Sequence, residues 1–459
     1  MINPLLLPEL REMLAEGNAA DLAAFCTTLH PAQTADFMRG LSPQEAWEVL
    51  RHANLSTRAQ VFGYFEHRMQ VELIEQQDRA EVAALIAELP PDDRVDILTG
   101  VDEAIVAELL AQVPAADRRD ILRLSAYPEG TAGALMTSRV VTLSESSTVR
   151  AALDELSRVA EDYETIYYLY IVDAEHRLRG LVSARRLIGA MRRPQTTLGE
   201  LMETELVVAR ALEDRQQVAR KVAQLDVLAI PVVDDEGRML GIITHDDVID
   251  VMLEEATQDA HQMAAVAPLE QSYLETSIFT LSWKRGIWLT LLFFFALLTA
   301  FAIGHYEKGL TGPDGVRELA WLAAFIPLVI STGGNSGNQS ATLVITAMSL
   351  GHVRLRNWRR VAFRELTMGL ILGSALAAIG FAIAWIFFAD DWRQALVLPT
   401  TLVLVVIAGT LTGSLLPLLF KRLGLDPALM SNPFVAGIID VVGIVIYMNA
   451  ALTLPDLLR

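Results

Sequence analysis

Asp440 stands near the middle of an apolar run, Phe434-Val435-Ala436-Gly437-Ile438-Ile439-Asp440-Val441-Val442-Gly443. A carboxylate at bilayer depth costs several kcal/mol on insertion scales, so such a residue normally faces an aqueous path or a partner. Asn432 and Pro433 precede it, and Pro suits the first turn of a helix. Asn432, Ala436 and Asp440 then fall at i, i+4 and i+8, a stripe of small and oxygen-bearing residues that can line a narrow pore. The plainer alternative is a protonated aspartic acid bonded to a neighbouring helix. A second apolar stretch contains Ser331-Thr332-Gly333-Gly334-Asn335-Ser336-Gly337-Asn338-Gln339-Ser340. Backbone loosened by glycine is tolerated at membrane depth only where it is buried in protein or lines water. Small-residue helix packing would account for Gly333, Gly334 and Gly337. Asn335, Asn338 and Gln339 exceed what close packing requires, so the segment reads as part of a pathway.

Acidic clusters form a different pattern. Asp246, Asp250 and Glu254 repeat every four residues, as do Glu255 and Asp259, without interleaved lysines. Asp92, Asp93 and Asp96 make a second cluster, and Asp226 sits just before an apolar strand that begins at Leu228. An acidic run is ordinarily a solvated face. Packing three such faces together would cost repulsion that divalent cations could screen.

The elements that position these residues divide sharply by composition. The formal net charge of the 459-residue chain is −19. Residues 271–459 hold 10 acidic and 13 basic side chains, leaving 46 acidic and 24 basic for residues 1–270. An acidic soluble half is therefore followed by an apolar half, and the acidic half disfavours nucleic acid and favours cations. Cys26 alone forms no internal disulfide and reads as a small buried hydrophobe. The N-terminus lacks a signal-type apolar core, which leaves the first half in the cytosol. Five stretches are long and apolar enough to cross a bilayer: 286–303, 319–350, 361–388, 395–420 and 428–452. Lys284, Arg285, Arg354, Arg356, Arg359, Arg360, Arg364, Lys421 and Arg422 flank them on one side, against Lys308, Arg317, Arg393 and Arg459 on the other. The positive-inside rule puts the first group in the cytoplasm and the C-terminus outside. Five spans with one useful carboxylate close a path poorly, whereas a twofold axis would set two Asp440 side chains across one pore. Carboxylate and amide oxygens suit a hard divalent cation such as Mg²⁺, which gives up its waters reluctantly.

Two repeats organise the acidic half. Tyr170-Ile171-Val172-Asp173 to Gly180-Leu181-Val182-Ser183 matches Pro231-Val232-Val233-Asp234 to Gly241-Ile242-Ile243-Thr244 at an offset of 61. Each copy reads helix, strand, helix, strand, turn, strand, helix, and resembles a CBS domain. Pairs of that family are regulatory modules that often bind adenine nucleotides or ions. Thr244 and Asp247 match its ribose-contacting pattern, whereas the first copy has Ser183 and Arg186, so at most one nucleotide site is intact, and whether ATP binds there is left open. Upstream, Leu41-Ser42-Pro43, Phe65-Glu66, Leu89-Pro90-Pro91 and Val113-Pro114 recur every 24 residues, the mark of a stacked helical repeat.

The expected architecture is a multidomain membrane protein: an all-α helical-repeat N domain over 1–130, a tandem α/β CBS pair over 131–195 and 196–252, an acidic connecting, or plug, helix over 253–280, and a five-span α-helical transmembrane domain over 281–459. With Gly-Gly-Asn-x-Gly-Asn-Gln in the second span and Asn-Pro-x-x-Ala-x-x-x-Asp in the fifth, this order resembles the MgtE family of magnesium channels over the whole chain. The resemblance implies a homodimeric Mg²⁺ channel of the bacterial cytoplasmic membrane, its pore lined by the second and fifth spans. The family's pore aspartate falls on Asp440, with Ala436 and Asn432 toward a cytosolic gate. Regulatory Mg²⁺ would bind between the cytosolic domains, at Asp92, Asp96, Asp226, Asp247, Asp250, Glu255 and Asp259, and close the pore. Gln258 stands where a further acid is common. A proton-coupled exchanger using Asp440 and a non-transporting sensor remain the rival readings. An enzyme is disfavoured, since no Ser/His/Asp, HExxH or phosphate-loop pattern occurs.

Overall fold

The computed structural model describes residues 6–159, 163, 165–269, 273, 276–310, 316–388, 392–429 and 432–457. Arg459 and the side chains of Lys308 and Arg317 lie outside that description. The chain divides into two compact units, Met1–Leu253 and Glu254–Arg459.

The first unit opens with the short helices α1 (Leu6–Glu16) through α10 (Ala115–Leu124). Two interleaved series start at Pro31, Leu55, Arg79 and Glu103, and at Pro43, His67, Pro91 and Ala115, each with the 24-residue period expected from sequence. The starts are set by local chemistry. Asn54, Asp78 and Asp102 accept hydrogen bonds from first-turn N–H groups, and Ser42 closes a capping box with Glu45. Helices of 8 to 11 residues are marginal alone, so their stability comes from stacking. Val49, Leu73, Ile97 and Ile121, at the same position of successive repeats, are all buried. Cys26 is also buried, and burial pushes its thiol up to about 11.

Two α/β copies follow. The first holds α11 (Ala132–Leu135), β1 (Thr142–Ser144), α12 (Val149–Val159), β2 (Tyr168–Val172), β3 (Leu178–Ser183) and α13 (Ala184–Gly189). The second holds α14 (Leu198–Leu201), β4 (Ala209–Arg210), α15 (Arg215–Leu225), β5 (Ala229–Val233), β6 (Met239–Thr244) and α16 (His245–Met263). In each sheet the first strand runs parallel to the second and the second antiparallel to the third. Tyr170 pairs with Leu181 as Pro231 pairs with Ile242, so the 61-residue offset extends to strand register. The copies also exchange edges: Thr137 pairs with Ile242, and Glu203 with Leu181. Gly180 and Gly241 recur for this reason, because a Cβ there would lie 2.8 Å from the Glu203 carbonyl oxygen and 2.3 Å from that of Thr137.

The second unit holds α17 (Ile278–Leu310), α18 (Ile326–Ser349), α19 (Trp358–Phe387), the short α20 (Trp392–Ala395), α21 (Val397–Arg422) and α22 (Asn432–Leu457). Among the described residues four stretches are helical, long and apolar enough to cross a membrane: Ile278–Tyr306, Leu355–Phe387, Trp392–Arg422 and Asn432–Leu454. Among the described residues, four of the five expected spans therefore meet that measure of length and hydropathy. The exception is the second, where Val316–Phe325 is 3₁₀-helical and the polar run of α18 dilutes its hydropathy. Nor do the glycines loosen α18, which runs as a continuous helix of 24 residues. They serve packing instead. A Cβ on Gly409 would stand 2.6 Å from the Gly333 carbonyl oxygen, and one on Gly413 2.0 Å from that of Gly337, so α18 and α21 meet backbone to backbone. Gly369 and Gly373 make the same close approach between α19 and α21, each with a Cβ position 3.0 Å from a Cα of α21.

Candidate ion pathway and acidic cleft

In the second unit, α18 and α22 bring two stripes of residues together. Thr342 Oγ1 donates to Asn432 Oδ1 at 3.2 Å. Eight residues earlier on α18, a Cβ on Gly334 would lie 3.5 Å from the Ala436 Cβ and 3.7 Å from Asp440 Oδ1. Gly334, Asn338 and Thr342 therefore follow one face of α18 while Asp440, Ala436 and Asn432 follow the facing side of α22 in the opposite order. Asn432, Ala436 and Asp440 are all half-buried. Asp440 has no hydrogen bond or ion pair among the described residues. Asn338 Oδ1 and Ser336 Oγ are buried and likewise lack hydrogen-bond partners among the described residues. The arrangement offers one carboxylate and several neutral oxygens to a small, hard guest.

The ten-residue polar run thus divides by face. Gly333 and Gly337 pack against α21 and α22, Gly334 and Asn338 belong to the Asp440 face, and Asn335 and Gln339 are exposed on this chain. Asn335 Nδ2 donates to Ser331 Oγ at 3.3 Å. Two participants escaped the sequence reading. Thr342 lies outside the run, and its signal was its spacing of four from Asn338. Glu365 lies two turns into α19, where Ser340 Oγ donates to its Oε2 at 2.6 Å. At the Asn432 end, Met263 from the last turn of α16 packs on the cluster of Ala341, Ile345, Ala428, Val435 and Ile439. Asp259, on the same part of α16, accepts from Ser349 Oγ at 3.0 Å.

In the first unit, Asp92 and Asp93 of α8 (Pro91–Thr99) and Asp246, Asp247 and Asp250 of α16 line one cleft of about 970 Å³. Burial pushes the Asp93 carboxyl up to about 6, reinforced by the charges of Asp247, Asp96, Asp246 and Asp250. Burial also raises Asp247, although two hydrogen bonds oppose the shift: its Oδ2 accepts from Thr244 Oγ1 at 2.6 Å and Thr244 N at 3.1 Å. Arg139 reaches the cleft but donates to the Ala87 carbonyl at 3.4 Å. Among the described residues no three His, Cys, Asp or Glu side chains converge closely enough to hold a metal ion directly. The cleft acids are coupled by charge at longer range. Of the other expected ligands, Asp226 is an exposed left-handed cap of α15 away from this cleft, and Glu255 and Asp259 follow on the part of α16 in the second unit. Asp93 and Asp246 were not among the expected ligands.

Thr244 and Asp247 are bonded to each other through one carboxylate oxygen, which leaves Asp247 Oδ1 for a donor such as a ribose hydroxyl. The first copy differs: its Ser183 caps α13, and Arg186 is paired with Glu203 at 2.8 Å.

Apolar spans and a glycine-packed helix core, preceded by a unit of helical repeats with paired α/β copies, define a multi-pass membrane protein. Family models agree along the chain: the MgtE intracellular N domain over 29–130, CBS domains over 132–193 and 198–254, and MgtE, a divalent cation transporter, over 326–450. The magnesium transporter MgtE of Thermus thermophilus is 36% identical over 446 residues, covering 96% of this chain and 97% of its own. That of Bacillus subtilis is 30% identical over 439 residues, covering 96% and 95%. The cytosolic domain of the Mg²⁺ channel MgtE in complex with ATP superposes with a TM-score of 0.50 at 35% identity, covering 53% of this chain and 98% of that one. The chain belongs to the MgtE family, whose members are transporters and not enzymes.

Proposed function

We propose that this protein is a homodimeric Mg²⁺ channel that imports Mg²⁺ across the bacterial cytoplasmic membrane and closes when cytosolic Mg²⁺ binds its acidic cleft. The observation that carries this reading is Asp440, unpartnered among the described residues and flanked by neutral oxygens where α18 faces α22. A hydrated divalent ion needs only a few such acceptors. The exposed stripe of Ser331, Asn335 and Gln339 on α18 supports a second copy, since a polar stripe facing lipid would be unfavourable. The basic residues gathered at one end of the spans support a cytosolic first unit.

Regulation follows from the cleft. At high Mg²⁺, ions screen Asp92, Asp93, Asp247 and Asp250, and the helical repeats close on the start of α16. The far end of the same helix carries Asp259 and Met263 onto α18 and the start of α22, where they favour the shut state. When Mg²⁺ falls, repulsion among the acids releases the helix. Thr244 and Asp247 would hold the ribose of ATP, in keeping with the ATP complex of the related cytosolic domain.

Reconstitution tests the reading. In proteoliposomes carrying a Mg²⁺ indicator, a negative-inside potential contributes about 2.3 kcal/mol per charge per 100 mV, roughly twice that for a divalent ion. Uptake should follow the potential and fall when Mg²⁺ is raised on the side of the first unit. Uptake that ignored the potential but tracked a pH gradient would replace the channel with an exchanger.

A further inference from the structure

The second unit has a cleft of about 780 Å³ between the segment that leads into α19 and the last turns of α21, lined by Leu355, Trp358, Leu415 and Leu419, with Arg356 and Arg422 among its walls. We propose that it is a binding site for one anionic phospholipid per protomer. The glycine contacts that draw α19 and α21 together reach only as far as Gly369 opposite Thr410 and Ile407. Beyond them Leu411, Leu415 and Leu416 of α21 are only half-buried and Leu419 is exposed, although Leu418 is buried. Trp358 and Leu419 are each 49% exposed, on the arginine-rich end of helices that cross the membrane. Arg359 lies over the Trp358 ring, 5.4 Å from its centre, and holds the indole at the cleft. Neither Arg356 nor Arg422 has an acidic partner among the described residues.

Two needs coincide in this place. The leucine wall requires an apolar cover, and the two guanidinium groups require an anion that can accept forked hydrogen bonds, as a phosphate does. A free phosphate would leave the leucines bare, and a neutral acyl chain would leave the guanidiniums unpaired. A phospholipid of net negative charge meets both needs, and basic pockets between membrane helices select such headgroups. The proposal rests on the membrane-spanning character of the unit and not on the ion pathway.

Native mass spectrometry of the full-length protein in detergent can test it, with phosphatidylglycerol, phosphatidylcholine of the same chains, and glycerol phosphate as probes. One phosphatidylglycerol per protomer should be retained, with retention about 10-fold or more weaker in Arg356→Gln/Arg422→Gln. Leu415→Trp, which fills the cleft without touching charge, should weaken it as well. Arg354→Gln/Arg360→Gln removes the same charge outside the cleft and should leave retention unchanged. Equal retention by wild type and Arg356→Gln/Arg422→Gln would overturn the site, as would equal loss in the Arg354→Gln/Arg360→Gln control. Binding of phosphatidylcholine or glycerol phosphate as strong as that of phosphatidylglycerol would also overturn it.

Discussion

Asp440 and Asp93 are both carboxylates withdrawn from water, and they differ in company. Asp440 has Gly334 and Ala436 beside it, with no ion pair or hydrogen bond among the described residues. Asp93 is surrounded by the charges of Asp96, Asp246, Asp247 and Asp250. A solitary acid among neutral oxygens can take a cation and release it, because little energy is stored when the ion leaves. A crowd of acids stores repulsion whenever its cation is missing. On the proposed reading the first arrangement suits passage and the second suits sensing, although both use the same side chain.

The strongest way to break this comparison is to remove each acid in turn. Asp440→Ala should reduce Mg²⁺ uptake in proteoliposomes to the protein-free background while the protein keeps its size-exclusion profile. Asp93→Asn should leave maximal uptake at the wild-type level and shift only its dependence on Mg²⁺ supplied to the first unit. The reverse result, with flux surviving at Asp440→Ala and lost at Asp93→Asn, would exchange the two roles.

The pH dependence of the cleft sharpens the contrast at a smaller scale. The Asp93 carboxyl is raised from 3.8 to about 6 in the fold, so protonation favours the packed cleft. Its contribution is complete below the ordinary carboxylate value and is lost as pH rises through about 6, a change of up to about 3 kcal/mol. Melting of the protein should therefore fall between pH 5 and pH 7, and Mg²⁺ should restore it at pH 7 more than at pH 5. Asp93→Asn should flatten both responses. An unchanged slope in that variant would show that charge crowding does not govern the cleft.

How much of this was readable beforehand depends on whether a signal is local. The 24-residue period was visible because capping residues and first-turn prolines mark most of the helix starts, though not that of α6. The 61-residue offset was visible because Gly180 and Gly241 meet the same backbone crossing. Asp440 was visible as a charge in an apolar run. The division of labour in Ser331–Ser340 was not, because it depends on which neighbouring helix each face meets. Sequence spacing puts Gly333 and Gly337 on one face but does not reveal Gly409 and Gly413 opposite. The place of Asp93 was hidden in the same way, since only the fold shows that it lines the cleft beside Asp92 and opposite the start of α16. Glu365 was passed over because it sits near the edge of its span, and its partner Ser340 belongs to another helix.

The smallest effect concerns the neutral side of the pathway. Thr342 Oγ1 donates to Asn432 Oδ1 and fixes one oxygen of the α22 stripe. Thr342→Val keeps the shape and removes the hydroxyl, which should cost about 1 kcal/mol of stability. It frees Asn432 to rotate but leaves Asp440 untouched. Mg²⁺ uptake should then fall far less than in Asp440→Ala, and Thr342→Ser should restore it by returning the donor. If Thr342→Val were as inactive as Asp440→Ala while the protein stayed folded, the solitary charge would not be what distinguishes this site. Fixed geometry of its neutral oxygens would then be the governing feature, and the contrast with the acidic cleft would be one of rigidity rather than of crowding.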